Sequence, residues 1–408
     1  MESGRRWSCT DLTMNRRRFL TTSSTTVATS FVSTVQAATG GKARVAVIGH
    51  TGRGDFGHGL DTVWLELPEA EIVGVADADK AGLAKALKKL KLEAGFSDFR
   101  AMLAEVKPEI VSVALRHLDQ HHAMVMASIE AGVRGIYMEK PFCRTLVEAD
   151  EMLEACRSNN VKLAVAHRNR YHPVLPKLKE LLAEGLIGRV LEIRLRGKED
   201  RRGGGEDLWV LGTHLFNLAH YFAGAPVACS ATVFQDGHLV AAADVEDGAE
   251  GIGPLAGNEV HARFEMASGV PVFFDSIQNA GTKEAGFGAQ IVGTDGIIDL
   301  RIDKDPLAHL LQGSPFSPKN SPGSWVPISS GGVGVPEPIP NLGHLVGHHV
   351  MQAKDLIEAV QEDRAPVCDV EQAHTTVEMV AAVFESHRLG GHRVAFPLKT
   401  RVNPLTLL

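Results

Sequence analysis

The sequence predicts an α/β fold in two parts: a doubly wound parallel sheet, then an α+β domain built on an open, largely antiparallel sheet. Two observations carry this. From Lys42 to His167, short β-branched apolar runs alternate with segments whose apolar residues recur every three or four positions, as strands joined by helices do. Beyond His167, apolar runs lie back to back across short turn-forming triplets, as in hairpins.

Taken in order, "ARVAVIG" reads as the first strand, and "EIVGVAD", "EIVSVAL", "GIYM" and "KLAVAH" as later ones. Between them "DKAGLAKALKKLKL", "DQHHAMVMASIEAG" and "TLVEADEMLEACRS" read as helices, each with Asp or Thr near its start to cap it. "HPVLPKLKELLAEG" is helical and "RVLEIRLRG" alternates as a strand, while "EDLWVLGTHLFNLAHYFAG" reads as a helix closed by Gly224. Two hairpins follow, "EVHARFEM" with "VPVFFDSI" and "FGAQIVG" with "GIIDLRI". The Pro-, Gly- and Ser-rich stretch from Gly313 to Leu342 reads as one long loop, a lid or an oligomer arm, before a closing helical pair.

The 408 residues suit two domains, drawn at 42–167 and 168–400. A net charge of −7 without a long single-sign run argues against a nucleic-acid partner. The five cysteines have neither CxxC spacing nor the density of a disulfide scaffold. At the amino terminus, Arg16, Arg17 and Arg18 precede Phe19-Leu20, an uncharged Thr/Ser/Ala/Val stretch and the small residues Ala37-Ala38. That order is a signal peptide over residues 1–38, and its arginines resemble the twin-arginine export signal. The expectation is an exported, periplasmic or extracytoplasmic protein that meets the twin-arginine machinery, with Met14 as an alternative start. No later segment is long and apolar enough to span a membrane.

"VAVIGHTGRGDFGHG" sets Gly49, Gly52 and Gly54 at a strand-to-helix turn, where backbone amides bind a pyrophosphate. Thr51 stands where a second glycine is expected, and Arg53 is close enough to meet a phosphate. Asp77 ends the second strand at the distance where a carboxylate accepts from ribose hydroxyls, which favours NAD, although capping the next helix explains an acid there as well. In "IYMEKPFCR", Pro141 restricts Lys140 to an extended backbone. A lysine with a lowered pKa at such a point takes or steers the hydroxyl proton as a hydride leaves the same carbon.

Together the glycine loop, Asp77, His122 seventeen residues before Glu139, "EKP", "HRNRYHP" and "GTHLFN" resemble the Gfo/Idh/MocA family of oxidoreductases over nearly the whole mature chain. The resemblance implies a Rossmann domain binding NAD, with NADP open, held tightly and recycled. It puts Lys140 beside the nicotinamide after a fifth strand, lets Glu139 shape the cofactor site, and makes the Lys-Pro bond cis. It places His122 near the nicotinamide after a fourth strand and Arg170 after a sixth, where Arg170 would meet a substrate carboxylate or pair with an acid at the domain junction, a structural role being open to both. His214 matches the family's second catalytic group, but Val210 occupies the position of its acid and Asn217 that of a further acid, leaving Asn217 as a substrate contact. Either Glu206 or Asp207 would then supply the missing carboxylate from a loop, or no such group is needed. The implied substrate is a sugar, polyol or related hydroxy compound, and the implied assembly a homo-oligomer. Two other readings stand beside this one: an NAD-dependent glycosidase working through transient oxidation, and a non-catalytic binding protein on the same scaffold. No metal is expected, since His344 with His348 and His117 with His121 lack a third ligand at a recognisable spacing.

Overall fold

The computed structural model describes residues 41–408 except 282–286, 303 and 318–322. The expected signal peptide lies outside the described residues.

The first half is a five-stranded parallel sheet of β1 (Ala43–Ile48), β2 (Ala70–Ala76), β3 (Ile110–Val113), β4 (Gly135–Met138) and β5 (Lys162–Val165), in the order β2-β1-β3-β4-β5. Alternation along β1 explains why it is apolar from Val45 onward: Ala46 and Ile48 enter one core, Val45 and Val47 the other. The first core is covered by α2 (Phe99–Val106), α3 (His121–Glu130) and α4 (Leu146–Ser158), the second by α1 (Lys80–Leu90). Asp79, Asp98 and Thr145 cap α1, α2 and α4 by accepting from backbone N–H groups in the first turn.

The strand numbering is corrected. "EKP" follows the fourth strand, His122 the third and Arg170 the fifth, because only a single parallel bridge, Ala76 to Phe96, stands between β2 and β3. The glycine loop is corrected as well. β1 is followed by turns and the short 3-10 helix Val63–Glu66 rather than by an α-helix.

The second half begins with α5 (Val174–Ala183) and β6 (Val190–Arg196). The short α6 (Gly205–Asp207), a π-helical turn (Leu208–Gly212) and α7 (Thr213–Ala223) then run on without a break. Next come β7 (Pro226–Gln235), β8 (His238–Leu239), a two-stranded arm of β9 (Glu246–Gly248) and β10 (Gly253–Leu255), and the hairpins β11 (Glu259–Met266) with β12 (Val272–Ile277) and β13 (Phe287–Gly293) with β14 (Gly296–Ile302). An eleven-stranded sheet results, whose only parallel pair among the described residues is β12 with β6.

The long loop expected from Gly313 to Leu342 is interrupted. β15 (Ala308–Gln312) pairs with β16 (Val326–Ser329), which pairs with β17 (Gly332–Val333), because Ile328 alternates into the core beside Ala308. After the six-residue α8 (Leu342–Gly347), α9 (Val350–Glu362) returns to the parallel sheet, with Ala353, Leu356, Ile357 and Val360 in the same core as Val45 and Val47. Then α10 (Val370–Arg388) packs between α4, α7 and β7, and β18 (Val394–Ala395) joins the edge of the large sheet. A cut at His167 therefore follows the chain but not the packing. Among the described residues no helix is long and apolar enough to cross a membrane.

Candidate active site

At the carboxyl end of β4 the chain turns through Glu139, Lys140 and Pro141, and the Lys140-Pro141 bond is cis. Both side chains before the proline are buried. The carboxylate of Glu139 accepts from the Lys140 N–H at 2.9 Å through one oxygen and from the His58 N–H at 3.0 Å through the other, with His58 Nδ1 at 2.5 Å. Burial by itself raises the Glu139 carboxyl, but the His58 hydrogen bond and the Lys140 ammonium outweigh it and hold the group down at about 2. For Lys140 burial dominates and lowers the pKa, against the pull of Glu139 and Glu250.

Lys140 Nζ donates to the Val210 carbonyl at 3.0 Å. Val210 lies inside the π-helical turn, the wide turn that re-aims backbone carbonyls at functional sites. The residue that replaces the expected acid thus contributes through its backbone, where its side-chain chemistry is irrelevant. One helical turn on, His214 is buried edge-on against His167 with ring centroids 5.1 Å apart. Burial, then the Lys140 charge, pushes His214 well below its ordinary value; His167 falls to about 3 and His349 to about 4, burial again first.

Apart from His167, these groups line a cleft of about 230 Å³ between the two halves, with His58, Glu139 and Lys140 on one side and Val210, His214 and Phe287 on the other. His214 Nδ1 and His349 Nε2 are buried without a hydrogen-bond partner among the described residues. A second cleft of about 230 Å³ opens over the ends of β1 and β2, walled by Ala76, Ala78, Phe99 and Met124 and edged by Gly49, Asp77 and Gln120.

Several expected contacts fall elsewhere. His122 turns outward to Glu151 at 2.7 Å; its neighbour His121 is the buried one, spanning the carbonyls of Leu115 at 2.8 Å and Pro141 at 2.9 Å, so a one-residue shift in helix phase separates expectation from structure. Arg170 is removed from the cleft, with its guanidinium 4.0 Å from the Tyr221 ring centroid and its Nε on Gln372. Asn217 is fully buried against Cys368 Sγ at 3.6 Å, three residues past His214 but turned away from the cleft. Arg53 is paired with Asp119. Asp207 is spent inside the fold on Ser276 and the Glu199 N–H, while Glu206 borders a neighbouring cavity. Besides Glu139, the carboxylate that reaches the cleft among the described residues is Glu250, from the arm between β9 and β10, where no periodicity marked it. His344 and His348 do acquire a third neighbour, the exposed Glu66, contributed by a distant segment no sequence spacing relates to them.

Residues 43–167 match an oxidoreductase family described as having an NAD-binding Rossmann fold, and residues 179–396 match the C-terminal α/β domain of the same family. The chain belongs to the Gfo/Idh/MocA family. Among curated relatives, levoglucosan dehydrogenase of Pseudarthrobacter phenanthrenivorans is 26% identical over 58% of this chain and 66% of its own length, and D-apiose dehydrogenase of Paraburkholderia graminis is 28% identical over 48% and 54%. The chain thus spans about half to two thirds of the length of these relatives. The fold agrees with solved structures: levoglucosan dehydrogenase with NADH and L-sorbose superposes with a TM-score of 0.70 at 21% identity, covering 88% of this chain and 100% of that one. The WlbA dehydrogenase of Bordetella pertussis with NADH and UDP-GlcNAcA gives 0.65 at 16% identity, over 88% and 99%.

In this family member the two clefts fit the two ends of a nicotinamide dinucleotide: apolar walls beside Asp77 for the adenosine, and orphaned histidine nitrogens around Lys140 for the nicotinamide and what it meets. The middle differs. Gly54, at φ +91, lets the loop close on the segment that follows β3, where an added Cβ would lie 2.4 Å from the Arg116 N–H nitrogen. A pyrophosphate would meet loop amides here, without a helix amino terminus behind them.

Thr51 explains its own departure from glycine. Its N–H and Oγ1 both donate to Asp77, at 3.0 and 2.6 Å, and the Asp79 N–H adds a third bond at 2.9 Å. Asp79, not Asp77, caps α1. Thr51→Val keeps the shape and removes the hydroxyl from a buried carboxylate, so we expect a loss of about 1–3 kcal/mol in stability. A denaturant midpoint equal to that of the parent would show the bond to be idle.

Proposed function

We propose that this chain is an NAD(P)-dependent oxidoreductase acting on the CH–OH group of a sugar, polyol or related compound. The observation that carries the reading is Lys140: a buried amine with a lowered pKa, fixed by the Val210 carbonyl, in a polar cleft. When bound, nicotinamide supplies the two-electron acceptor or donor for the carbinol carbon. Glu139, His58 and the cleft around Lys140 would hold that end, and the apolar walls beside Asp77 the adenosine, while the Asp77 carboxylate, expected to meet the ribose, is fully buried on Thr51 and Asp79.

The chain's own residues handle the proton. In its neutral form, which burial favours, Lys140 donates one N–H to Val210 O and offers its lone pair to the substrate hydroxyl proton. Glu139 stays ionised beside it and stabilises the ammonium that forms. His214, neutral through burial, offers its unpartnered Nδ1 to a substrate hydroxyl.

The arginine-led amino terminus supports export through the twin-arginine route, which carries folded protein with its cofactor inside. Protein purified from the cell envelope and then denatured is expected to release about one nicotinamide dinucleotide per chain. Envelope protein that releases none and reduces none in the presence of sugars would refute the reading.

A further inference from the structure

The charge of the cleft is opposite to that of the chain. Overall the chain carries −7, yet among the described residues Arg116, Lys140, Lys198 and Arg202 line the cleft against Glu139 and Glu250. Those two acids are engaged already: Glu139 is hydrogen-bonded to His58, and Glu250 stands 4.0 Å from Arg116. Like charges gathered in a concave, partly desolvated site focus the field on an incoming ion of opposite sign.

The loop after β6 shows that this is a built arrangement. Lys198 and Arg202 lie on the stretch 197–205, which two buried acids hold from beneath. Glu199 accepts from the Ile277 N–H at 2.8 Å and pairs with Arg196, while Asp207 accepts from the Glu199 N–H at 3.0 Å and from Ser276 Oγ at 2.7 Å. Gly204, at φ +84, brings the same loop so near Asn258 that an added Cβ would lie 2.5 Å from its carbonyl carbon. Arg202 is aligned by both oxygens of Asp200, at 2.7 and 3.0 Å. Lys198 forms no ion pair among the described residues; its Nζ stands 5.9 Å from the Phe287 ring centroid, on the cleft wall. Asp200 offsets Arg202, so that among the described residues Lys198 is the cation presented on the wall beside Phe287. Arginines lost to solvent would need none of this support.

We infer that the cleft binds an oxyanion on the substrate, so that the compound oxidised is an acidic sugar or polyol carrying a carboxylate, phosphate ester or sulfate ester, with Lys198 its principal contact on the second-domain wall. The inference rests on the oxidoreductase reading for the word "oxidised", but not for the binding.

The test uses the holoenzyme with glucose, glucuronate, glucose 6-phosphate and glucose 6-sulfate, measuring binding by calorimetry and reduction of cofactor by absorbance. At least one anionic compound is expected to bind ~10-fold or more tightly than glucose, the three arms separating carboxylate from phosphate and sulfate. That advantage shrinks with added salt. In Lys198→Gln the ratio of anionic to neutral binding falls by ~10-fold, and Arg202→Gln gives a second reading should one variant fold poorly. Glucose bound as tightly as every anionic form, or a ratio unchanged in both variants, overturns the inference and leaves the oxidoreductase reading intact if glucose is oxidised. Salt-sensitive anion binding that Lys198→Gln abolishes, without reduction of cofactor by any compound, supports the anion subsite and counts against the oxidoreductase reading instead.

Discussion

Lys140→Met is expected to lower kcat by about 10²- to 10⁴-fold, the usual contribution of one positioned acid-base group. The side chain is buried and close to methionine in volume, so the variant keeps its fold and its nicotinamide dinucleotide; a thermal midpoint near that of the parent and retained cofactor would separate lost chemistry from lost structure. Direction with pH follows from the lowered pKa. Oxidation needs the neutral amine, so the parent's rate rises with pH through a value below the ordinary 10.5, and the variant loses that rise. A variant within twofold of the parent, with the same pH profile, would remove Lys140 from the reaction.

Acid is expected to unfold this protein early. His167, His214 and His349 are held neutral by burial, at about 3, well below 6.5 and about 4, whereas each takes a proton at about 6.5 once unfolded. The unfolded chain therefore binds more protons below pH 6.5. Stability is complete above that value, falls as the pH drops, and goes on falling until the folded histidines themselves titrate near 4 and below. For three such groups the loss between pH 7 and pH 5 is on the order of 5 kcal/mol. Denaturant midpoints at pH 7, 6 and 5 measure it, and His167→Gln should reduce the slope by about one proton. A midpoint that does not move between pH 7 and 5 would mean that these rings are not buried neutral.

Where sequence reading held, the signal was local. Each parallel strand is a four- to seven-residue apolar run buried on both faces, so periodicity and β-branching suffice to find it. Lys140 was found because Glu139, Lys140 and Pro141 are contiguous at a strand end. His214 lines the cleft, while Asn217, on the same helix, does not: three residues put it near the face of His214 in projection, but Cys368, from far along the chain, covers it. His122 and His121 differ by one position and hence by the helix phase that short apolar patterns define poorly.

The sequence by itself determined the two-part α/β architecture, the family and the identity of the lysine at the end of β4, since each depends on neighbours in the chain. Only the tertiary structure decided what surrounds that lysine. Val210 serves through a carbonyl that a π-helical turn exposes, Glu250 arrives on an irregular arm, and Lys198 on a loop pinned by two buried acids. None of these has a period or a spacing to read, because a backbone oxygen carries no residue identity and contacts between distant loops leave no mark on either one alone.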